Sequence, residues 1–546
     1  MNAWSLFDAV RWPQFRTRLP VAGWRRGTVA LVLGWALGSS AAVAGPVQGG
    51  TLTWSVFPEP SSSLVPLTTT EHGNQRIGPK IVEGLLTYDF DLKPLPQLAT
   101  GWAVSPDGLR YTFDLREGVK WHDGKDFTAE DVAFSIDALR QFHPRGRTTF
   151  GSVTEIQTPT PHQVVLILSK PAPYLLTALA ASESPIVPKH LYAGTEVATN
   201  PANQAPVGTG PFRFKEWVKG SHIVLERNPD YWDTPRPYLD RIVVRAIPDA
   251  AARAAALESG EVLLGGDRPI PLSDIARFQA IDGLQVDTRH WPYAGTHLQM
   301  YFNFDRPVLQ DRRVRQAIAA TLDLDAFQRL IWYGYGQPSA SPIGKLLTAF
   351  HDDSIKPVPY DVAEANRLLD AAGYPKDAKG VRLKLKLLIT PFQDPRAAGF
   401  VRQSLARAGI DATVVTNDFA AYARQVYTDR DFDLTLESLA NVFDPTIGVQ
   451  RVFWSKNFQA GVPFTHTPHY QNPAVDAALE AAAVEPDPAR RREFFRQFQQ
   501  LVSEDVASIE LGAPPNITVA SQRVKDYAVT GEGIAGNFAH VYLERE

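Results

Sequence analysis

His466 and His469, three apart in THTPHY, are the first residues whose spacing could do chemistry. Two imidazoles at that separation can share a metal ion, but the sequence places no third ligand beside them. Pro463 and Pro468 break regular structure around them, so they stand as weak metal candidates in a loop. Gly531, Gly533 and Gly536 spell GxGxxG. A dinucleotide site needs a helix after the glycines and an acidic residue about 20 positions on. Only ten residues follow Gly536, so the motif reads as a turn. Gly208 and Gly210 in VGTGPF lack the lysine and helix of a phosphate loop and read as a tight turn leading into a strand. Trp121 and His122 in VKWHDG read as a strand end turning at Asp123-Gly124. HExxH, GxSxG and GxxxxGK[ST] do not occur, and there is no cysteine for a thiolate site or disulfide. The residue types point away from the usual catalytic and cofactor sites.

The elements around these residues alternate between strand and helix. TLTWSVF (51–57) is a strand that runs into a Pro- and Ser-rich loop. Leu109, Tyr111, Phe113 and Leu115 alternate with polar residues, and VVLIL (164–168) is a buried strand. Thr128 is a helix N-cap with Val132, Ile136 and Leu139 on one face. From 360 to 440 the pattern is clearest. Asp361 caps a helix, with Glu364 placed for a capping box, and Gly373 ends it. Val381 to Ile389 alternates, a helix spans about 396–408, IDATVVT is a strand, a helix lies near 419–427, and FDLTLES is the next strand. Asp487 and Pro488 open a helix with Phe494, Phe495, Phe498, Leu501 and Val502 on its buried stripe. A last strand is expected near 539–543. This is an α/β chain with parallel pairing.

The 546 residues are 44% apolar and 21% charged, an ordinary globular balance, and long enough for about three domains. The formal charge is −4, but residues 1–44 carry +4, which leaves −8 on the rest. An acidic body argues against a nucleic-acid partner. Residues 1–44 read as a cleavable export signal: Arg25-Arg26, then the apolar run 28–38, then Ala42-Val43-Ala44. Eleven apolar residues fall short of the ~20 that span a bilayer. The arginine pair is a weak match to twin-arginine export. With no cysteine after the signal, the expected product is periplasmic and not a lipoprotein.

Residues 81–136 (IVEGLLTYDFDLKPLPQLATGWAVSPDGLRYTFDLREGVKWHDGKDFTAEDVAFSI) resemble the extracellular solute-binding proteins of family 5, the oligopeptide-, dipeptide- and nickel-binding proteins of ABC importers. VGTGPFRFKEW with RNPDYWD (207–233), FNFDRPVLQDRRVRQAIAATLD (302–323) and FDPTIGVQRVFWS with HYQNPAVD (443–476) follow in the same order. The resemblance implies a two-lobed periplasmic-binding-protein clamp of α/β class with mixed sheets. Lobe I would be 45–88 plus 207–295 plus 509–546, with an extra domain at 89–206 inserted into it. Lobe II would be 296–508. The implied function is capture of a peptide or peptide-like solute and its delivery to an ABC permease, by a monomer that makes no bonds itself. A nickel or metal-chelate receptor, in which His466 or His469 would act, and an opine or sugar-conjugate receptor remain open, with a chaperone or secreted enzyme behind them.

In peptide-binding members an Asp before the D-P dipeptide meets the peptide ammonium. Counting back from Asp444-Pro445, that position here is Asn441. Dipeptide binders place an Arg in the loop after a lobe II strand, and Asp394 stands near that position. Both departures disfavour a zwitterionic dipeptide held by its ends, and the expected ligand carries a cationic or polyhydroxyl group near Asp394: a modified or longer peptide, an opine or a sugar conjugate. Ser438, Leu439, Asn441 and Phe443 are expected to line the cleft, since ligands sit at the carboxyl ends of strands in such sheets. Ser61 and Ser62 are the expected opposing wall, and Trp454 is a further candidate.

Overall fold

The computed structural model describes residues 45–545. The expected export signal, 1–44, lies outside the described residues. Three sheets organise the rest. A seven-stranded sheet has the order Leu284–Asp287, Thr518–Ser521, Leu264–Gly265, Thr51–Ser55, Arg241–Arg245, His222–Arg227, Phe212–Val218. A four-stranded antiparallel sheet joins Ala99–Val104, Arg110–Leu115, Gln163–Leu168 and Val153–Thr160. A five-stranded sheet runs Ile410–Thr416, Leu383–Ile389, Leu434–Ala440, Thr296–Phe302, Ser508–Gly512. Its first three strands are parallel, as the strand–helix alternation predicts, and its last two pair antiparallel, so the sheet is mixed. Among the described residues no helix is long and apolar enough to cross a membrane.

The sequence division at 508/509 needs a correction. The strand Ser508–Gly512 crosses that boundary and pairs with Thr296–Phe302, so its residues belong to the five-stranded sheet throughout. The strand Leu383–Ile389 also departs from simple alternation. Leu388 is as buried as Leu387, because its face is covered by Tyr422, Val426 and Tyr427 of the helix Phe419–Tyr427. The last strand is only Tyr542–Leu543. Asp361 and Asp487 accept backbone N–H groups as expected, Asp418 does the same, and Thr128 with Asp131 forms a capping box, while the Glu364 side chain pairs with Arg367 instead of closing a box at Asp361.

Distant segments are joined through buried polar side chains. Glu83 is fully buried and accepts hydrogen bonds from Thr209 Oγ1, the Tyr231 hydroxyl and Trp232 Nε1, each at 2.9 Å. The stretches EGLL, VGTGPF and NPDYWD thereby meet at one carboxyl. Gly208 and Gly210 let this happen, since a Cβ at either would strike the Ile81 carbonyl. His122 fills the same turn, with Nε2 at 2.9 Å from the Gly210 carbonyl. Lys80 is also fully buried. Its ammonium donates to the Ile534 and Gly536 carbonyls and lies over the Phe538 ring at 3.9 Å. Asp444 and Arg491 form a buried bidentate pair, both contacts at 2.8 Å. Asp444 also caps the short helix Pro445–Gly448.

Two predictions follow from these hubs. Burial pushes the Glu83 carboxyl up to about 7, even against its three hydrogen bonds. A folded value above the unfolded one makes this group's contribution fullest below pH 4.5 and lost as pH rises through 7. Glu83→Gln should therefore gain stability relative to the parent, by on the order of 3 kcal/mol, between pH 4.5 and 8 in chemical denaturation. Arg491→Met strands the Asp444 carboxylate and should cost about 3–5 kcal/mol by the same measurement.

Candidate functional site

The strands Leu383–Ile389 and Leu434–Ala440 run parallel, with Leu387–Ile389 beside Leu434–Leu436, so the second strand continues past the end of the first. The loop after the first, 390–394, stands beside Ser438: Ser438 Oγ is 3.5 Å from Gln393 Oε1. The Phe392 carbonyl in that loop accepts a hydrogen bond of 3.1 Å from Arg268 Nη2. Arg268 follows the strand Leu264–Gly265 of the seven-stranded sheet. This contact joins the carboxyl ends of two sheets, and the space they flank is the candidate site.

On the seven-stranded side the wall is built from Arg76, His72 and Asp267. Arg76 Nε is 3.0 Å from Asp267 Oδ2, and His72 Nε2 is 2.7 Å from Oδ1. Burial alone would push the Asp267 carboxyl up, but the Arg76 guanidinium and His72 hold it well below the usual range. Asp267 and Arg268 both have left-handed φ, 55° and 65°. Two such residues in succession are strained, and Arg253 holds them by donating to the Arg268 carbonyl at 2.9 and 3.1 Å.

The residues expected from sequence fall into different places. Ser438 is half-buried and faces Gln393. Leu439 is 5% exposed and packs with Tyr301, Val449, Val452 and Phe453. Phe443 is 1% exposed and stacks on Tyr293 at 4.7 Å, which stacks on Tyr88 at 4.8 Å. Both apolar side chains are core, so the strand end offers its backbone and Ser438 rather than their side chains. Asn441 is buried with both amide atoms in use: Oδ1 accepts from Gly344 N at 3.0 Å and Nδ2 donates to the Pro342 carbonyl at 2.9 Å. Asp394 caps the helix Pro395–Ala406 and forms a bidentate pair with Arg396, so its charge already has a partner. Ser61 and Ser62 are exposed. Ser61 bonds Glu71, and its carbonyl accepts from Lys219 beside the edge strand Phe212–Val218. Trp454 donates to Glu480 at 2.8 Å.

Beneath the five-stranded sheet lies a buried polar cluster. Glu437 is fully buried and accepts from Tyr422 and Tyr427 on Oε1 and Thr467 on Oε2. Burial pushes its carboxyl up. Tyr301 donates to Gln299, whose amide donates to Glu510 at 2.7 Å. His297 Nε2 is 2.9 Å from Glu510 Oε2 but is not aligned for a hydrogen bond, and its Nδ1 has no hydrogen-bond partner among the described residues. His466 and His469 sit at the border of this cluster. His466 Nδ1 faces the Val452 carbonyl at 2.9 Å, and burial pushes its imidazole down to about 4. His469 Nδ1 faces Asp305 at 3.0 Å. The two rings stack at 5.8 Å and 19°. In-plane lone pairs of stacked rings do not converge on one ion, and among the described residues no group of three or more His, Cys, Asp or Glu could hold a metal.

Sequence reasoning passed over Arg76, Asp267 and Arg268, which lie outside the quoted blocks, and Arg451, which lies inside FDPTIGVQRVFWS as one more charge. Consecutive left-handed residues at Asp267-Arg268 leave no mark in residue type.

Comparisons agree with this architecture. Residues 93–460 match the family model for bacterial extracellular solute-binding proteins, family 5. Protein XP55 of Streptomyces lividans is 30% identical, over 91% of this chain and 90% of its own length. The oligopeptide-binding protein AppA of Bacillus subtilis is 25% identical, over 88% and 89%. Among solved structures, the periplasmic binding protein DppA of Helicobacter pylori in complex with the peptide STSA superposes with a TM-score of 0.78 at 27% identity, covering 91% of this chain and 99% of that one. AgaA of A. tumefaciens R10, solved in complex with agropinic acid, gives 0.74 at 26%, covering 91% and 99%. A matched stretch of this length, on a mixed-sheet frame of this kind, means that the chain belongs to the bacterial extracellular solute-binding proteins of family 5.

Proposed function

We propose that this protein is the periplasmic receptor of an ABC importer, capturing a peptide or peptide-like solute between two lobes and presenting it to the permease. Lobe I is built on the seven-stranded sheet, lobe II on the five-stranded sheet through Gly512, and the four-stranded sheet belongs to an inserted domain. The observation that carries the reading is the contact from Arg268 to the Phe392 carbonyl. It closes the space between the carboxyl ends of strands in both lobes, where such sheets bind ligands. Peptide is favoured because DppA was solved with one and AppA is named for oligopeptides. The agropinic acid complex keeps an opine as the second reading.

Asn441 does not act here as an ammonium site, since both ends of its amide are committed to the 342–344 backbone. Asp394 serves helix Pro395–Ala406 and Arg396 instead of a cationic solute. Recognition is left to backbone groups at the strand ends, with Ser438 and Gln393 as adaptable polar partners. Such contacts hold many sequences equally well.

The test is native mass spectrometry with small-angle scattering on the mature protein, incubated with a tetrapeptide pool or with agropinic acid. Retained ligand mass with a smaller radius of gyration is the expected result. No retained mass and no change in scattering with either ligand would reject the receptor reading. Arg268→Ala removes one hydrogen bond, about 1 kcal/mol. It should weaken retained ligands by roughly fivefold and enlarge the unliganded protein. Asn441→Asp sets a carboxylate against the Pro342 carbonyl, and should lose about 1–3 kcal/mol of stability without gaining peptide affinity.

A further inference from the structure

Arg451 departs from how this chain treats its other buried cations. Arg315 donates to the carbonyls of Leu309, Gln310, Asp505 and Val506. Arg491 holds Asp444, and Arg145 holds Glu183 with two contacts. Arg451 is half-buried, and its side chain makes one hydrogen bond, from Nε to the Gly448 carbonyl at 3.1 Å. Its two terminal nitrogens have no partner among the described residues, yet neither is sealed from solvent.

The backbone fixes where this guanidinium starts. The Arg451 carbonyl accepts from His466 N at 2.9 Å and Asn457 Nδ2 at 2.7 Å, so the residue is pinned on both sides. Its surroundings do not neutralise it. Burial and the positive charge of Arg145 push its guanidinium down to about 10. The acidic groups near it are already engaged. Glu183 is bound by Arg145 and by Gln75 of the helix His72–Ile77. Glu437 is satisfied by two tyrosines and a threonine. Arg145 and Glu183 from beside the four-stranded sheet and Glu437 of the five-stranded sheet therefore surround a planar fork whose Nη1–Nη2 edge is free. A guanidinium in that state is matched by a planar oxyanion through two parallel hydrogen bonds.

We propose that Arg451 anchors an oxyanion of the bound solute, a carboxylate or a phosphate. The inference rests on the receptor reading and deepens it: the solute is anionic at the end that reaches between Arg145-Glu183 and Glu437. A free carboxyl terminus, an opine acid and a phosphorylated conjugate share that chemistry, and an amidated or cationic end lacks it.

The experiment compares the parent with Arg451→Gln, Arg451→Lys and, as a control, Arg407→Gln at the C-cap of the helix Pro395–Ala406. Thermal unfolding is followed in chloride, malonate and phosphate at matched ionic strength. Tetrapeptide pools, as free acids and as C-terminal amides, are then titrated. Malonate, phosphate or both should raise the melting temperature of the parent and of Arg407→Gln above chloride, with little effect on Arg451→Gln. The anion that protects more names the class. Free acids should bind the parent roughly 10- to 100-fold more tightly than amides, and the ratio should collapse toward one in Arg451→Gln. Arg451→Lys keeps the charge without the fork and should fall between them, which also covers a glutamine variant that does not fold. Equal anion effects in all four proteins, or an acid-to-amide ratio unchanged by the substitutions, overturn the proposal. Amides bound as well as acids would leave the receptor standing and remove Arg451 from it. Anion protection that needs Arg451, with no peptide of either kind retained, would keep the anchor and remove the peptide.

Discussion

A charge taken out of water must be matched, and this chain meets that constraint with side chains from distant stretches at each place where its sheets join. The cost of leaving such a charge alone is several kcal/mol, comparable to the whole stability of a domain. Glu83 with Thr209, Tyr231 and Trp232 ties the segment after the first strand to the antiparallel half of the seven-stranded sheet. Lys80, three residues earlier, ties the same segment to 534–538 near the C-terminus. Arg491 ties the helix Pro488–Glu504 to Asp444 at the exit of the central strand. A chain that crosses between sheets several times needs such pins, because apolar contact alone does not fix which crossing goes where.

The same pins shape the cleft indirectly. Asp444, held by Arg491, caps Pro445–Gly448, and that short helix leads to Arg451. Phe443 enters the stack with Tyr293 and Tyr88 one residue earlier. The direction in which the chain leaves Leu434–Ala440 is therefore set from both sides of the Phe443–Asp444 bond. Arg253 does the equivalent work opposite, holding Arg268 in its left-handed conformation. Each wall of the space is positioned by a buried arginine that does not itself face it.

Much of this frame was legible in the residues. The alternation from 381 to 389 and the Asp caps at 361 and 487 describe local geometry, and local geometry is written in side-chain type. The blocks that carry the resemblance also hold the pins: Glu83, Thr209, Tyr231, Trp232, Arg315 and Asp444 all lie within them. The site was much less legible. Counting from Asp444-Pro445 singled out Asn441 but could not show its partners, since the loop 342–344 that consumes its amide lies about a hundred residues away. Leu439 and Phe443 looked like cleft walls because strand ends usually are, while tertiary packing turned their side chains into core. Asp394 looked like a lone charge because Arg396, two residues on, gave no sign in sequence of folding back onto it.

The link across the cleft is weak by design of its chemistry. One neutral carbonyl receiving one guanidinium hydrogen bond contributes about 1 kcal/mol net, which biases an open–closed equilibrium by only about fivefold. A receptor held shut by more would release its cargo slowly and would present an empty closed form to its partner. A receptor held by less would lose the difference in shape between loaded and empty. With the latch this slight, the remaining free energy of closure has to come from the solute. That places the decision about what is carried on the groups the solute alone can satisfy, and the proposed Arg451 fork, with its Nη1–Nη2 edge unbonded, is a group of that kind.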